Sequence, residues 1–212
     1  MQTPVDVEQL LIDWNNYSKP EPEVTHRADI SGLVYIGDYI NTNSQDLLLQ
    51  WVDQQAWLGD LKRRVQHYGY KYDYKARRID DNMYLGALPR QLERLALKLH
   101  DDGWMPYLAD QVIVNEYEPG QGISSHIDCE PCFDDTIISL TLGSGCIMNY
   151  TNKAERSQVI PIWLEPRSLI VMQGEARYQW LHSIPARQKD EYNGQAIMRE
   201  RRVSLTFRKI KI

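Results

Sequence analysis

Hydrophobic and polar residues follow two different rhythms along the chain. In the first half, apolar residues recur at helical spacing in residues 43–55, NSQDLLLQWVDQQ, and in residues 88–104. The first run predicts a helix opened by an Asn or Ser cap, and the second predicts a helix with Pro89 in its first turn and Gly103 after its end. The buried stripe of this second helix is expected to consist of Leu92, Leu95, Ala96 and Leu99.

Short alternating or fully apolar runs dominate the chain after Asp110. QVIVNEY, TIISLTLG, CIMNYT, VIPIWL, SLIVMQ, RYQWLHSI and RRVSLTFRKI are separated by Gly, Pro, Asn and charged turns. Several short strands at this spacing predict a jelly-roll core over about 110–212. The N-terminal part adds a helix over 5–16, a polar, proline-containing arm up to residue 30, and a strand over 31–40. We therefore predict an α+β chain with an arm over 1–30 and one domain over 31–212.

Residues 61–78, LKRRVQHYGYKYDYKARR, interleave seven Lys or Arg with four tyrosines. If this stretch is one strand, Tyr68, Tyr70, Tyr72 and Tyr74 share a face, because strand side chains repeat every second residue. Such a face can be a partly buried tyrosine stripe opposite solvated lysines, which is the commoner case. It can also be a set of rings on which nucleic-acid bases stack, flanked by positive charge.

Composition limits the classes of function. A net charge of −5 argues against a general coat for nucleic acid but allows a locally basic groove. No apolar run approaches the ~20 residues of a membrane span, and the first residues lack the pattern of a signal peptide. Three cysteines do not make a disulfide framework. We therefore expect a cytoplasmic monomer with no membrane contact.

A His-x-Asp pair, His126 and Asp128, ends the stretch NEYEPGQGISSHID. On extended chain both side chains can point to the same side. His182, in a later strand of the same β-rich half, is the best placed third ligand. Two histidines and one carboxylate form the facial triad of non-haem Fe(II) oxygenases, which leaves other positions open for substrate and O2.

Cys129 and Cys132 form a CxxC directly after Asp128, and Cys146 stands alone. A zinc site of His126, Cys129 and Cys132 lacks the usual fourth ligand. A redox dithiol normally opens a helix in a βαβ unit, which is not predicted here. Both are weaker hypotheses than iron, and exposed, oxidation-prone thiols beside an iron centre are a further one.

Arg202 and Arg208 are six residues apart, so both face the same side of a strand, with Ser204 and Thr206 between them. Buried guanidinium groups need an anion. A dicarboxylate such as 2-oxoglutarate would pair with both arginines, one at its distal carboxylate and the other near its metal-chelating end. Asn115 and Tyr117, again on one face, could complete the pocket.

The combination N-x-Y-x-P-G, H-x-D, a distant His and R-x-x-x-x-x-R resembles the AlkB family of Fe(II)/2-oxoglutarate-dependent dioxygenases over roughly residues 61–212. RRVQHYGYKYDY, YEPGQGISSHID, FDDTIISLTLGS and SLIVMQGEARYQWLH are most similar to the branch that hydroxylates the wobble uridine of tRNA. The resemblance implies a double-stranded β-helix (jelly-roll) core with a β-hairpin nucleotide-recognition lid over about 61–87. It also implies Fe(II) as the metal and 2-oxoglutarate and O2 as co-substrates. It implies that iron is held by His126, Asp128 and His182. The implied 2-oxoglutarate residues are Asn115, Tyr117, Arg202, Ser204 and Arg208.

Glu130 falls at a position where the bacterial DNA-repair member contacts a base. Arg64, Tyr70 and Tyr72 are the expected substrate contacts in the lid. The resulting hypothesis is a dioxygenase that hydroxylates or demethylates a modified base, in tRNA or in single-stranded nucleic acid. Two alternatives remain open: an oxygenase acting on a protein, lipid or small molecule, and a catalytically silent β-domain that binds nucleic acid or protein.

Overall fold

The computed structural model describes residues 24–26, 29–59 and 61–211. The helix predicted over 5–16 lies outside these residues. Three α-helices are described, with the bounds α1 Thr42–Asp53, α2 Arg90–Asp101 and α3 Gly174–Tyr178. The described strands are β1 Val24–His26, β2 Leu33–Ile36, β3 Val65–Tyr68, β4 Gln111–Tyr117, β5 Ile123–His126, β6 Phe133–Gly143, β7 Cys146–Asn152, β8 Val159–Leu164, β9 Leu169–Met172, β10 Trp180–Ile184, β11 Lys189–Tyr192, β12 Gln195–Met198 and β13 Arg202–Ile210.

Two antiparallel sheets form the jelly roll. The larger sheet has the order β1-β2-β9-β6-β13-β4-β3, and the smaller sheet has the order β5-β10-β7-β8. β11 and β12 pair only with each other. Neighbouring strands in both sheets are often far apart in sequence, as in a double-stranded β-helix. The predicted fold class is therefore confirmed.

The central strand β13 carries the alternation that the sequence predicts. Val203, Leu205 and Phe207 lie in the core that α1 and α2 cover. The alternate residues Arg202, Ser204, Thr206 and Arg208 face the opposite way and line a cavity between the two sheets. The helices thus bury one face of the larger sheet, and the other face is left for polar side chains.

Both predicted helices are present. The Asn41 side chain accepts a hydrogen bond from the Ser44 amide and caps α1 two residues before the run predicted to be helical. In α2, Pro89 precedes the first turn and Gly103 follows the end with a φ of 80°. The predicted stripe of α2 is buried, and its members are Leu92, Leu95, Ala96 and Leu99. No helix of the described residues is long and apolar enough to cross a membrane.

Two local predictions are wrong. Val24–His26, in the stretch predicted to be irregular, forms an edge strand paired with β2. The four tyrosines do not share one strand, because β3 ends at Tyr68 and Gly69 follows with a φ of 75°. A Cβ at Gly69 would lie 1.8 Å from the Asp110 carbonyl oxygen, so the chain turns where only glycine fits. Beyond it, isolated bridges join Tyr70 to Tyr84 and Asp73 to Arg78, which closes residues 70–84 into a hairpin-like turn.

Candidate active site

Strand pairing brings the two predicted histidines together. β10 and β5 are antiparallel, and His182 is the direct cross-strand partner of His126. Their ring centroids are 4.3 Å apart. Asp128 follows β5 by two residues, and one donor atom from each of the three side chains lies within 4.8 Å of the others. This is the spacing that lets three side chains bind one cation on a single face.

Hydrogen bonding and burial favour the metal-binding form of both imidazoles. His126 Nδ1 lies 2.7 Å from the Ser124 carbonyl oxygen, so Nδ1 carries the proton and the lone pair of Nε2 is available. That Nε2 faces Asp128 at 3.9 Å. Burial, together with the neighbouring His126, lowers the pKa of His182 to about 3, so this ring is neutral at physiological pH. His182 therefore does not have to lose a proton when a cation binds.

The Asp128 carboxylate is only 8% exposed and stays ionised. Burial alone would raise its pKa, but the positive charge of the neighbouring Arg208 holds that pKa well below its usual range. Arg208 Nη2 lies 3.3 Å from Asp128 Oδ1. Arg177, itself 2% exposed, donates from Nη1 to the Asp128 carbonyl at 3.0 Å. Both the carboxylate and the backbone of Asp128 are thereby fixed.

A cavity beside the three residues collects the predicted anion-binding side chains. β4 and β13 pair with Arg202 opposite Tyr117 and Ser204 opposite Asn115. All five residues predicted to hold 2-oxoglutarate line this cavity, together with the histidines and Asp128: Asn115, Tyr117, Arg202, Ser204 and Arg208.

Arg202 supplies the test of whether an anion fits. This side chain is 3% exposed, its Nη2 donates to Thr141 Oγ1 at 2.9 Å, and its guanidinium lies 5.3 Å from the Tyr117 ring centre. Its Nε and Nη1 are buried and meet no acceptor among the described residues. Buried N–H groups of a cation are costly without a partner, and a carboxylate would satisfy them. The pocket therefore fits an anion, and the donor set beside it fits a ferrous ion.

Of the residues predicted to contact the substrate, only one lines the groove beside the cavity. A groove next to the cavity is lined by Tyr72, together with His126 and Asp128. Glu130 is outside that lining and faces Lys153 at 3.6 Å on the surface. Tyr70 packs on Tyr84 with ring centroids 5.0 Å apart.

Arg64 is an exposed side chain that pairs with a carboxylate of the protein and does not line the groove. Its Nε and Nη2 donate to the Glu116 carboxylate at 2.5 and 2.7 Å, and its guanidinium lies over Trp57 at 4.8 Å. Glu116 is 2% exposed and also accepts from Arg201 at 2.7 Å. Arg64 therefore neutralises a buried carboxylate.

Sequence reasoning missed other residues of the same stretch. Arg63 lines both the cavity and the groove, and its Nε donates to Asn115 Oδ1 at 2.9 Å. Tyr74 also lines both and has a buried hydroxyl without a partner among the described residues. Lys62 and Arg77 line the groove. The available signal was the alternation around β3: Val65 pairs with Asn115, so Arg63, two residues earlier, faces the same side.

The expectation that the CxxC consists of exposed thiols is wrong. Cys129 and Cys132 form a disulfide and are 3% and 7% exposed, so they are not exposed thiols. Cys146 is free and buried. Among the described residues, the group that could hold a metal consists of His126, Asp128 and His182 without a cysteine.

A jelly roll with a His-x-Asp…His cluster at its mouth and a buried arginine beside it defines a class of enzymes, the non-haem iron oxygenases that use a 2-oxo acid. The chain belongs to the 2OG-Fe(II) oxygenase superfamily, whose family model matches residues 38–208. The description of this family names Fe(II) and 2-oxoglutarate, and the donor set and the cavity beside it fit both.

Curated relatives support the resemblance to AlkB-like proteins. The chain is 36% identical over 214 residues to the Arabidopsis thaliana "Alkylated DNA repair protein ALKBH8 homolog", a match that covers 91% of this chain and 62% of that protein. It is 33% identical over 232 residues to the Macaca fascicularis "tRNA (carboxymethyluridine(34)-5-O)-methyltransferase ALKBH8", covering 97% of this chain and 35% of that protein. The chain thus spans about three fifths of the first relative and a third of the second.

The solved structure described as "The structure of OsALKBH1" has the same fold. Its TM-score is 0.68 at 15% identity, and the match covers 88% of this chain and 99% of that one. At this identity the likeness supports the fold and not the substrate.

Proposed function

We propose that this protein is an Fe(II)- and 2-oxoglutarate-dependent dioxygenase that hydroxylates or demethylates a modified base in nucleic acid, with tRNA as the favoured substrate. The observation that carries the proposal is one cavity that joins the His126, Asp128 and His182 donors to the unpaired N–H groups of Arg202. That cavity continues into a groove with basic and tyrosine side chains.

Each residue of the cavity has a role in this proposal. His126, Asp128 and His182 would hold the iron, which with 2-oxoglutarate and O2 supplies a two-electron oxidation of a substrate C–H bond and yields succinate and CO2. Arg202 would bind the distal carboxylate of 2-oxoglutarate, because its Nε and Nη1 are buried and meet no acceptor among the described residues. Arg208 already contacts Asp128 and would stand near the metal-chelating end. Tyr117 and Ser204 would complete the pocket.

The groove favours a nucleic-acid substrate. Lys62, Arg63 and Arg77 bring positive charge to a chain whose net charge is −5. Tyr72 and Tyr74 offer aromatic faces on which a base can stack. A base would reach the iron only after leaving its stack or from a loop, so a single-stranded or loop substrate fits best.

The printed names of the relatives agree with this class of substrate. One name refers to repair of alkylated DNA and the other to the wobble carboxymethyluridine of tRNA. Neither name favours a protein, lipid or small-molecule substrate. The family match and the complete donor set argue against a silent binding domain.

Mass spectrometry of nucleosides tests the proposal. Purified protein would be incubated with Fe(II), 2-oxoglutarate and O2, in parallel with tRNA bearing a wobble methoxycarbonylmethyl-uridine and with a methylated single-stranded oligonucleotide. We expect the uridine to gain one oxygen in the wild type and to stay unchanged in Asp128→Ala. Loss of a methyl group from the oligonucleotide would instead identify a demethylase.

Two further results would limit or overturn the proposal. Conversion of 2-oxoglutarate to succinate with both substrates unchanged would retain the iron chemistry and reject these substrates. Absence of succinate with every substrate, with iron bound, would reject the enzyme hypothesis itself.

A further inference from the structure

We propose that Cys129 and Cys132 form a reversible redox-modification site whose state sets how firmly residues 70–84, here called the lid turn, are held over the groove. The lid turn is the segment closed by the bridges between Tyr70 and Tyr84 and between Asp73 and Arg78. The mechanical part of this inference depends only on contacts within the protein. Its consequence for substrate access rests on the proposed function.

The lid turn touches the cysteine segment at three points. The Arg77 carbonyl oxygen lies 3.1 Å from Cys129 Sγ and 3.5 Å from Cys132 Sγ. Arg77 Nη2 donates to the Ile127 carbonyl at 3.1 Å, on the segment that precedes the cysteines. The Tyr72 ring packs on Phe133, directly after them, with centroids 5.7 Å apart. The tip of the lid turn is therefore anchored around the sulfur pair.

The Arg77 backbone depends on its surroundings. Its φ is 51°, in the left-handed region that a residue with a Cβ seldom occupies. Such a conformation persists when neighbouring contacts hold it. The contacts at the Arg77 carbonyl and guanidinium come from residues 127–132. A change in the cysteines therefore acts on the residue of the lid turn whose left-handed backbone depends on those contacts.

The chemical difference between the two states lies in hydrogen atoms on sulfur. In the disulfide neither sulfur carries a proton, and the Arg77 carbonyl receives no hydrogen bond from them. An external dithiol reduces the pair through a mixed disulfide: the S–S bond breaks, two electrons and two protons are taken up, and the dithiol becomes a disulfide. Each thiol then has an S–H that can donate, weakly, to the same carbonyl oxygen. Reduction should therefore hold the lid turn more firmly.

The cysteine pair lies next to the candidate active site, so its redox state can affect the groove. Cys129, Tyr72 and Arg77 line the groove together with His126 and Asp128. The sulfurs are almost fully buried beneath the lid turn, since Cys129 and Cys132 are 3% and 7% exposed. A reductant must wait for local opening of that turn, so the rate of disulfide reduction reports how often it opens.

Limited proteolysis of the wild type in its two redox states tests the inference. Trypsin can cut the lid turn after Lys75 and Arg77, which are both exposed. Metal-free protein would be divided into an oxidised portion, checked for the disulfide by mass, and a portion reduced with dithiothreitol. We expect about two- to tenfold slower cleavage at these sites in the reduced portion, the effect of gaining about one hydrogen bond.

Matched variants separate the pair from other effects. Cys129→Ala with Cys132→Ala should be cut at one rate under both conditions, and Cys146→Ser should behave as wild type. Arg77→Ala should be reduced faster by dithiothreitol than wild type, because one anchor of the lid turn is lost. Equal cleavage rates in the two portions, or failure of the pair to close under a thiol oxidant such as diamide, would overturn the inference. None of these assays uses iron, 2-oxoglutarate or nucleic acid, so their failure and that of the proposed function are distinguishable.

Discussion

Arg202 is the residue whose surroundings indicate most directly that the cavity binds an anion. Its guanidinium is buried, one nitrogen is held by Thr141, and the other two meet no acceptor among the described residues. Position on β13 gives the reason, since alternation directs Arg202 into the cavity while Val203 faces the core. A buried cation with spare donors is stable only with an anion close by.

Removing this guanidinium should weaken the binding of 2-oxoglutarate selectively. Arg202→Met is expected to lower affinity by about 10- to 100-fold, because charge-assisted hydrogen bonds contribute roughly 1.5–3 kcal/mol. Calorimetric titration of anaerobic Fe(II) protein would measure the affinity for 2-oxoglutarate and, separately, for the metal, which should change little. Arg156→Met, at an exposed arginine, is the control. An unchanged affinity for 2-oxoglutarate in Arg202→Met would contradict the role of Arg202.

The hairpin of β11 and β12 is attached to the smaller sheet through the buried carboxylate of one residue. Asp190 in β11 is fully buried, and its carboxylate accepts hydrogen bonds from Arg187 and Arg199 at 2.6 Å each. The same carboxylate accepts from the Ile147 amide at 3.2 Å, which ties the hairpin to β7 in the smaller sheet. Tyr192 adds a stacked contact to Trp163, with ring centroids 5.2 Å apart. The hairpin is therefore attached to β7, which pairs with β10, the strand of the proposed metal ligand His182.

Asp190→Asn should destabilise the fold by about 3–5 kcal/mol, because it leaves the buried Arg199 guanidinium without a charged partner. Urea unfolding followed by tryptophan fluorescence would measure the free energy of unfolding. Asp80→Asn removes the acidic partner of a more exposed pair, Arg78 and Asp80 at 3.3 Å, and should cost less than about 1 kcal/mol. An equal loss of unfolding free energy in both variants would contradict a larger contribution from the buried ion pair.

At the scale of the whole molecule, buried carboxylates with arginine partners make the fold sensitive to acid. Burial alone would raise the pKa of Asp190, but hydrogen bonds from Arg199, the Ile147 amide and Arg187 lower it. For Glu116 the same competition between burial and its partners Arg64 and Arg201 also ends in a lowered pKa. These carboxylates stay ionised in the folded state at pH values where the unfolded chain already binds protons.

Stability should consequently fall as the pH is lowered. A folded-state pKa below the unfolded value stabilises the protein above the unfolded pKa, about 4 for Asp and Glu, and that stabilisation disappears as the pH drops through the folded value. We expect the free energy of unfolding to decline from about pH 5 downward, and Asp190→Asn to decline less steeply than wild type. Urea unfolding at a series of pH values would measure both slopes. Parallel slopes would exclude Asp190 from the acid response.

The sequence by itself determined the elements whose signals are local. Helical spacing fixed α1 and α2, and period-two alternation gave the two faces of β13 with both arginines on one of them. The ligand types His126, Asp128 and His182 could also be selected, because few combinations of residues suit a ferrous ion. The helices and the two faces of β13 depend only on near neighbours in the chain, and the proposed ligand set depends on residue types.

Only the tertiary structure decided which side chains remain for a substrate. Arg63 and Arg64 are adjacent and alike in sequence, yet Arg64 is held by Glu116, 52 residues away, while Arg63 reaches the cavity. The tyrosine alternation predicts one strand, because the close approach of Asp110 to Gly69, which ends that strand, has no local signal in the sequence. The position of the Cys129–Cys132 disulfide beneath Arg77 likewise depends on packing between segments 52 residues apart in the chain. Local patterns determine which face a side chain occupies, but long-range packing determines the partner that it meets there.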